Sequence, residues 1–188
     1  PSEDVMNDPD IYSAMINSTV MGLLSLVNVK ADALTSKEYM LLAALFSHFW
    51  KKNIDLTLEE LIGYITNPPF EKIGVLSLNS FYPQKERFGL AMLLNNILSS
   101  PGFSSWLEGE KLDIQDLLYT ESGKPKVSIL SLAHLDHNQQ MFFVTLFLNK
   151  YISWMRLQTG TPSLRTILYM DEIFGFFPAT SNPPSKQP

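Results

Sequence analysis

At 188 residues with 45% hydrophobic content, the chain has enough apolar material for one domain, or two small ones, with a packed core. It contains no cysteine, which excludes disulfides, thiolate zinc sites and cysteine nucleophiles. A net charge of -5 and a pI near 5.1 argue against a broad nucleic-acid-binding face, so any DNA contact would be local or come from elsewhere.

The opening PSEDVMNDPD has neither a basic nor an apolar region of the signal-peptide kind. Every apolar run is broken well before the ~18 residues of a membrane span, so no membrane contact is expected. The absence of cysteine fits a reducing compartment, and a cytoplasmic location is expected. Pro1 at the start, and the turn-rich SNPPSKQP at the close, suggest a piece of a longer protein.

From about Pro9 to Val27, Ile11, Met15, Val20, Leu23, Leu24 and Val27 form a helical stripe, with Asp8 as N-cap and Pro9 at the first helical position. A second helix is predicted from Lys37 to Lys52, introduced by Thr35 and Glu38 in a T-x-x-E capping box. Its body, YMLLAALFSHFW, is apolar nearly all round and predicts burial. Another such box, Thr57 to Glu60, opens a short third helix that Asn67, Pro68 and Pro69 end. IGVLSLNSFYP reads equally as a short strand or a loop. After Pro83 a helix is predicted with Phe88, Met92, Leu93 and Ile97 on one side, stopped by Pro101 and Gly102. A looser piece with Trp106 and Leu107 follows, then a helical turn from Ile114 to Tyr119 and the polar loop ESGKP. To this point the chain reads as an all-α bundle.

At Lys126 the texture changes. VSILSL is a β-rich run between Pro125 and the polar turn AHLDHNQQ. A long apolar helix from Asn138 to Leu157 follows, and then TILYMDE. Strand, helix and strand in this order form a βαβ unit. The expected fold is mostly α with an α/β part: a helical domain over 1–122, then a partial α/β core over 123–188.

Ile167, Leu168, Tyr169 and Met170 read as a strand buried on both faces that stops at two carboxylates. A parallel strand delivers its C-terminal end to the ligand crevice, so Asp171 is placed to hold Mg²⁺, usually through water. Glu172 is placed to orient or deprotonate the water attacking a γ-phosphate. Strand residues alternate in direction, so both acids serve one site only if the strand ends here, as Gly175 and Pro178 suggest. That is the shape of a Walker B motif. The plainer alternative is a core strand leaving through two solvated acids.

The residues SFYPQKERFGLAMLLNNILSSPGFSSWLEGE, KVSILSLAHL, QQMFFVTLFLNKYISWM and SLRTILYMDEIFGFFPATSNPPSK resemble a bacterial family of HerA-like P-loop ATPases, RecA-like motors related to the FtsK and HerA DNA translocases. The resemblance implies a RecA-like P-loop NTPase core, with Asp171 as the Walker B aspartate and Glu172 as the catalytic glutamate. It implies that the helices up to about Tyr119 are an insertion, that ATP and Mg²⁺ are the cofactors, and that the parent protein forms a homo-oligomeric ring acting on DNA. No G-x-x-x-x-G-K-[ST] occurs in these 188 residues, so they supply no phosphate-binding loop and are not expected to hydrolyse ATP alone.

Other candidates have plainer accounts. His134 and His137 flank Asp136, which suggests either a metal site or a polar turn that caps the next helix. His48 lies in an apolar helix and reads as a core histidine. Phe174, Phe176 and Phe177 read as core packing, or as contacts beneath the site or with a neighbouring subunit. Lys150, Arg156 and Arg165 read as a solvated face rather than a basic edge. No G-x-S-x-G supports a hydrolase, and adjacent acids do not suit a glycosidase pair. The reading from a different class is a helical interaction or regulatory module without catalysis.

Overall fold

The computed structural model describes residues 6–99 and 111–177. The chain divides into two compact units, Pro1–Glu110 and Lys111–Pro188. The first is mainly helical, and the described part of the second has two α-helices separated and followed by stretches largely without regular structure.

In the first unit, α1 (Pro9–Leu26) starts as its sequence dictates: the Asp8 carboxylate accepts from the Asp10 and Ile11 amides, with Pro9 in the first turn. α2 (Lys37–Trp50) is the buried centre, and Leu41, Leu42 and Leu45 are fully enclosed. The Thr35–Glu38 capping box expected for it does not form. Asp32 Oδ1 accepts from the Leu34 and Thr35 amides and from the Thr35 hydroxyl, and Ser36, the actual N-cap, accepts from the Asp32 amide. Those bonds draw the Asp32 carboxyl below its ordinary range, the Leu34 amide having the largest effect.

α3 (Leu58–Thr66) does carry its box: Glu60 N–H donates to Thr57 Oγ1 at 3.2 Å and Thr57 N–H to Glu60 Oε2 at 2.9 Å. The ambiguous IGVLSLNSFYP resolves into the second strand of a hairpin and a single helical turn. The strands are β1 (Lys72–Ile73) and β2 (Leu76–Ser77), antiparallel, and the turn is α4 (Leu78–Phe81). Two residues join the strands, and Gly74 at φ +59 supplies the left-handed position that such a tight hairpin requires.

α5 (Gln84–Leu98) packs on α3, but not through the expected face. Arg87, Leu90, Ala91 and Leu94 are buried, at i, i+3, i+4 and i+7, while Phe88, Met92 and Leu93 are exposed. Arg87, only 4% exposed, explains the choice. Its guanidinium donates to the Thr66 carbonyl at the end of α3, to Asn79 Oδ1 and to the Tyr82 carbonyl. It thus satisfies orphan acceptors left by two helix ends.

Tyr82 is buried beside it, and its hydroxyl donates to Glu38 Oε1 at 3.5 Å. Burial first, and then the Glu38 charge, pushes the phenol well above its ordinary range. A raised folded value means the neutral phenol contributes stability that is complete below the unfolded value of about 10 and fades as pH rises beyond it. Alkaline titration should therefore destabilise the first unit from about pH 10 upward. Tyr82→Phe should lose that limb in a pH series of urea midpoints; an unchanged limb would remove Tyr82 as its source.

In the second unit, α6 (Ile114–Leu118) is capped by Asp113, and α7 (His137–Arg156) buries Met141, Val144, Thr145 and Leu148 along one stripe. Trp154 Nε1 on α7 donates to Gln115 Oε1 on α6 at 3.0 Å. Gly123, at φ +76, turns the ESGKP loop, and Tyr119 makes an isolated bridge to Pro125.

The two segments expected as strands of a βαβ unit are in no ladder: among the described residues the only strands are β1 and β2. Polar groups at the start of the first segment meet α6 instead. The Lys126 amide donates to the Leu118 carbonyl, Lys126 Nζ to that of Asp116 and Ser128 Oγ to that of Leu117, closing the C-terminus of that short helix. Val127, Ile129, Ile167 and Tyr169 are exposed rather than buried on two faces. Their strand character is a property of composition that needs neighbouring strands to be realised.

Candidate functional site

TILYMD has no regular structure; its start is held by Tyr151 of α7, which donates to Thr166 Oγ1 at 3.3 Å, and by Tyr119, which donates to the preceding Arg165 carbonyl at 3.4 Å. At Asp171 the run ends in a turn, followed by a 3-10 turn, Ile173–Gly175. Glu172 between them has φ 50 and ψ 44, left-handed for a residue with a Cβ. Such a conformation costs roughly 1–2 kcal/mol, so the surrounding chain must hold it.

The consequence is local but chemically useful. In a continuing strand, Asp171 and Glu172 would point to opposite faces. Here the run ends in a turn, both side chains are exposed, and Asp171 Oδ1 accepts the Glu172 amide at 3.1 Å. The second Asp171 oxygen remains for a water or a cation. Among the described residues no three histidines, aspartates or glutamates converge into a metal cage. One or two carboxylates suit a Mg²⁺ that takes its other ligands from waters and phosphates, and they do not suit an all-protein site.

His134 and His137 are exposed, and Asp136 between them is the N-cap of α7. Its carboxylate accepts the Gln139 amide, while Gln139 Oε1 accepts the Asp136 amide, each at 3.0 Å. This turn is thus the helix cap of the plainer account. Asp136→Ala should cost about 1 kcal/mol, read as faster amide exchange in the first turn of α7; unchanged protection there would contradict the capping role.

Phe174 is 80% exposed, so core packing does not describe it. Lys150 and Arg156 are exposed, as a solvated face requires, whereas Arg165 donates to the Thr159 carbonyl and Gln158 Oε1 and braces its own loop. Pro178 and the residues after it lie outside the described part.

His48 is half-buried rather than enclosed. Its Nε2 lies 2.8 Å from Lys52 Nζ, and its ring lies against Phe49 and Phe70. Sequence reasoning singled out neither this histidine–lysine pair nor Arg87. A charge set among Leu90, Ala91 and Leu94 at helical spacing was the available signal for Arg87.

No family model matches the chain, and no curated protein or solved structure is significantly similar to it.

Proposed function

We propose that these residues belong to a Mg²⁺-dependent ATP-hydrolysing motor of the HerA-like class, with Asp171 and Glu172 as its acidic catalytic pair. The observation that carries the reading is the abrupt end of TILYM at two exposed, adjacent carboxylates, with a left-handed Glu172 turning the chain. The strand-like runs at 127–132 and 167–170 support it. Val127, Ile129, Leu130, Ile167, Leu168 and Tyr169 are exposed and without ladder partners among the described residues, as sequences made for a larger parallel sheet would be.

In this reading Asp171 would hold a Mg²⁺ ion, which would supply charge neutralisation to the phosphates of a bound nucleotide. Glu172 accepts a hydrogen bond from the attacking water and orients it in line with the γ-phosphorus. The phosphate-binding loop comes from residues outside these 188, and the helical first unit is inserted ahead of the Walker B segment. A neighbouring subunit of a homo-oligomeric ring completes the site, the energy drives movement along DNA, and the motor works in the cytoplasm. Mg²⁺-dependent ATP turnover by the longer protein, raised by duplex DNA, is the expected behaviour. Absence of turnover would favour the helical interaction module, to which the exposed Phe88, Met92 and Leu93 on α5 are suited.

A further inference from the structure

An open cleft in the first unit is lined by three lysines. It lies between the C-terminal end of α2 and the β1–β2 hairpin, has a volume of about 430 Å³, and is lined by His48, Lys51, Lys52, Phe70, Lys72 and Gly74, among others. Three lysines around one opening repel one another, and such groups are ordinarily interleaved with carboxylates. Here they are not. Among the described residues the one ion pair is Lys37–Glu86, so Lys51, Lys52 and Lys72 have no carboxylate within 4.0 Å. This concentration of positive charge occurs in a chain whose net charge is -5.

The helix end accounts for only part of it. Cations near a helix C-terminus gain a few tenths of a kcal/mol from the unsatisfied carbonyls, which explains a lysine at 51 or 52. Lys72 comes from β1, and the hairpin carries it to the same opening. Lys52 is also positioned: an ammonium can only donate, so His48 Nε2 accepts from it at 2.8 Å and leaves its other N–H groups for a ligand. The His48 ring rests on Phe49 and Phe70, which restrains the pair. Gly74 puts a side-chain-free stretch of backbone at the rim, and a Cβ there would meet no atom within 4 Å. Phe70 offers an aromatic surface beside the charges.

We propose that this cleft binds the phosphate groups of a nucleotide or of a single nucleic-acid strand, with Lys51, Lys52 and Lys72 as its cationic ligands, and Phe70 as the wall for a base. It is independent of the carboxylate pair, since the cleft lies wholly in the first unit.

Isothermal titration of the 188-residue chain with pyrophosphate, ATP and a 12-nucleotide single strand tests it, beside Lys52→Ala/Lys72→Ala and the control Lys85→Ala. At least one probe should bind saturably, and the double variant should weaken it tenfold or more, with the control unchanged and all three proteins equally helical by circular dichroism. A strand binding more tightly than ATP, with log K falling against log salt at a slope of about -2 for three contacts, identifies a polynucleotide backbone. ATP binding more tightly than the strand identifies a free nucleotide. No saturable binding of any probe, or binding that the double variant and the control retain equally, overturns the site.

Discussion

Replacing Arg87 with alanine should lower the urea midpoint of the first unit by about 1.5 M, the largest stability loss expected from a single polar substitution in this chain. The guanidinium joins the end of α3, the α4 turn and the start of α5 through the Thr66 carbonyl, Asn79 Oδ1 and the Tyr82 carbonyl. Hydrogen bonds from a charged donor contribute roughly 1.5–3 kcal/mol each, and a buried acceptor left alone costs roughly 1–3 kcal/mol.

Opposing this, burial penalises the charge itself and pulls the guanidinium below its ordinary range; a Tyr82 phenolate would act the other way, but burial keeps that phenol neutral except at high pH. Nε also has no partner among the described residues. Setting these terms against each other leaves a net loss of about 3 kcal/mol, and an m-value of about 2 kcal/mol per molar urea converts that to the midpoint shift. Arg87→Lys should recover little, because a single ammonium cannot span three acceptors on separate elements. Arg87→Met should recover the part due to stem packing. Backbone amide exchange across α3 and α5, followed in urea, reads the first unit specifically. A midpoint within about 0.3 M of the parent value, the resolution such a linear extrapolation allows, would mean that Arg87 merely fills space.

The second large effect concerns Glu172. If its carboxylate orients the attacking water, Glu172→Gln should lower the ATP turnover of the longer protein about 100-fold or more, the usual contribution of a positioned general base. The amide keeps the shape, and the left-handed backbone is set by the turn, so nucleotide affinity should change little. Such a loss in kcat without a matching rise in KM is the signature of an interaction made in the transition state. Asp171→Asn should act differently. On the proposed reading it weakens the group that would hold Mg²⁺, so part of its effect should be recovered by raising Mg²⁺, whereas the Glu172 variant should not respond.

Helix starts were legible in the chain wherever capping is a matter of a few adjacent residues. Asp8 with Pro9, Thr57 with Glu60, and Asp136 ahead of α7 all behave as local chemistry requires. Thr35 and Glu38 did not, because both are engaged elsewhere: the Thr35 hydroxyl donates to Asp32, and Glu38 accepts from Tyr82, 44 residues away. The face of α5 was misread for a related reason. Phe88, Met92 and Leu93 outweigh a stripe containing Arg87 on any apolar scale, and only the carbonyls that Arg87 meets make its burial favourable.

The β-rich runs at 127–132 and 167–170 show the limit most clearly. Composition marks them for a sheet, but a strand exists only with a neighbour, and the nearest polar groups to Lys126 and Ser128 are the open carbonyls of α6. At the carboxylates the residue types were legible, and the left-handed Glu172 was not, since nothing in D-E-I announces a positive φ. The lysine cleft was equally invisible, because a hairpin brings Lys72 to Lys52 from 20 positions away.

Steady-state ATP hydrolysis by the longer protein, wild type beside Glu172→Gln at saturating Mg²⁺, tests the role of the acidic pair most directly. Turnover that falls about 100-fold, with nucleotide binding retained, is the expected result. Equal turnover by the two proteins, or none by the wild type while it binds Mg²⁺ and ATP, would contradict it and return Asp171 and Glu172 to the standing of two solvated acids at the end of an apolar run.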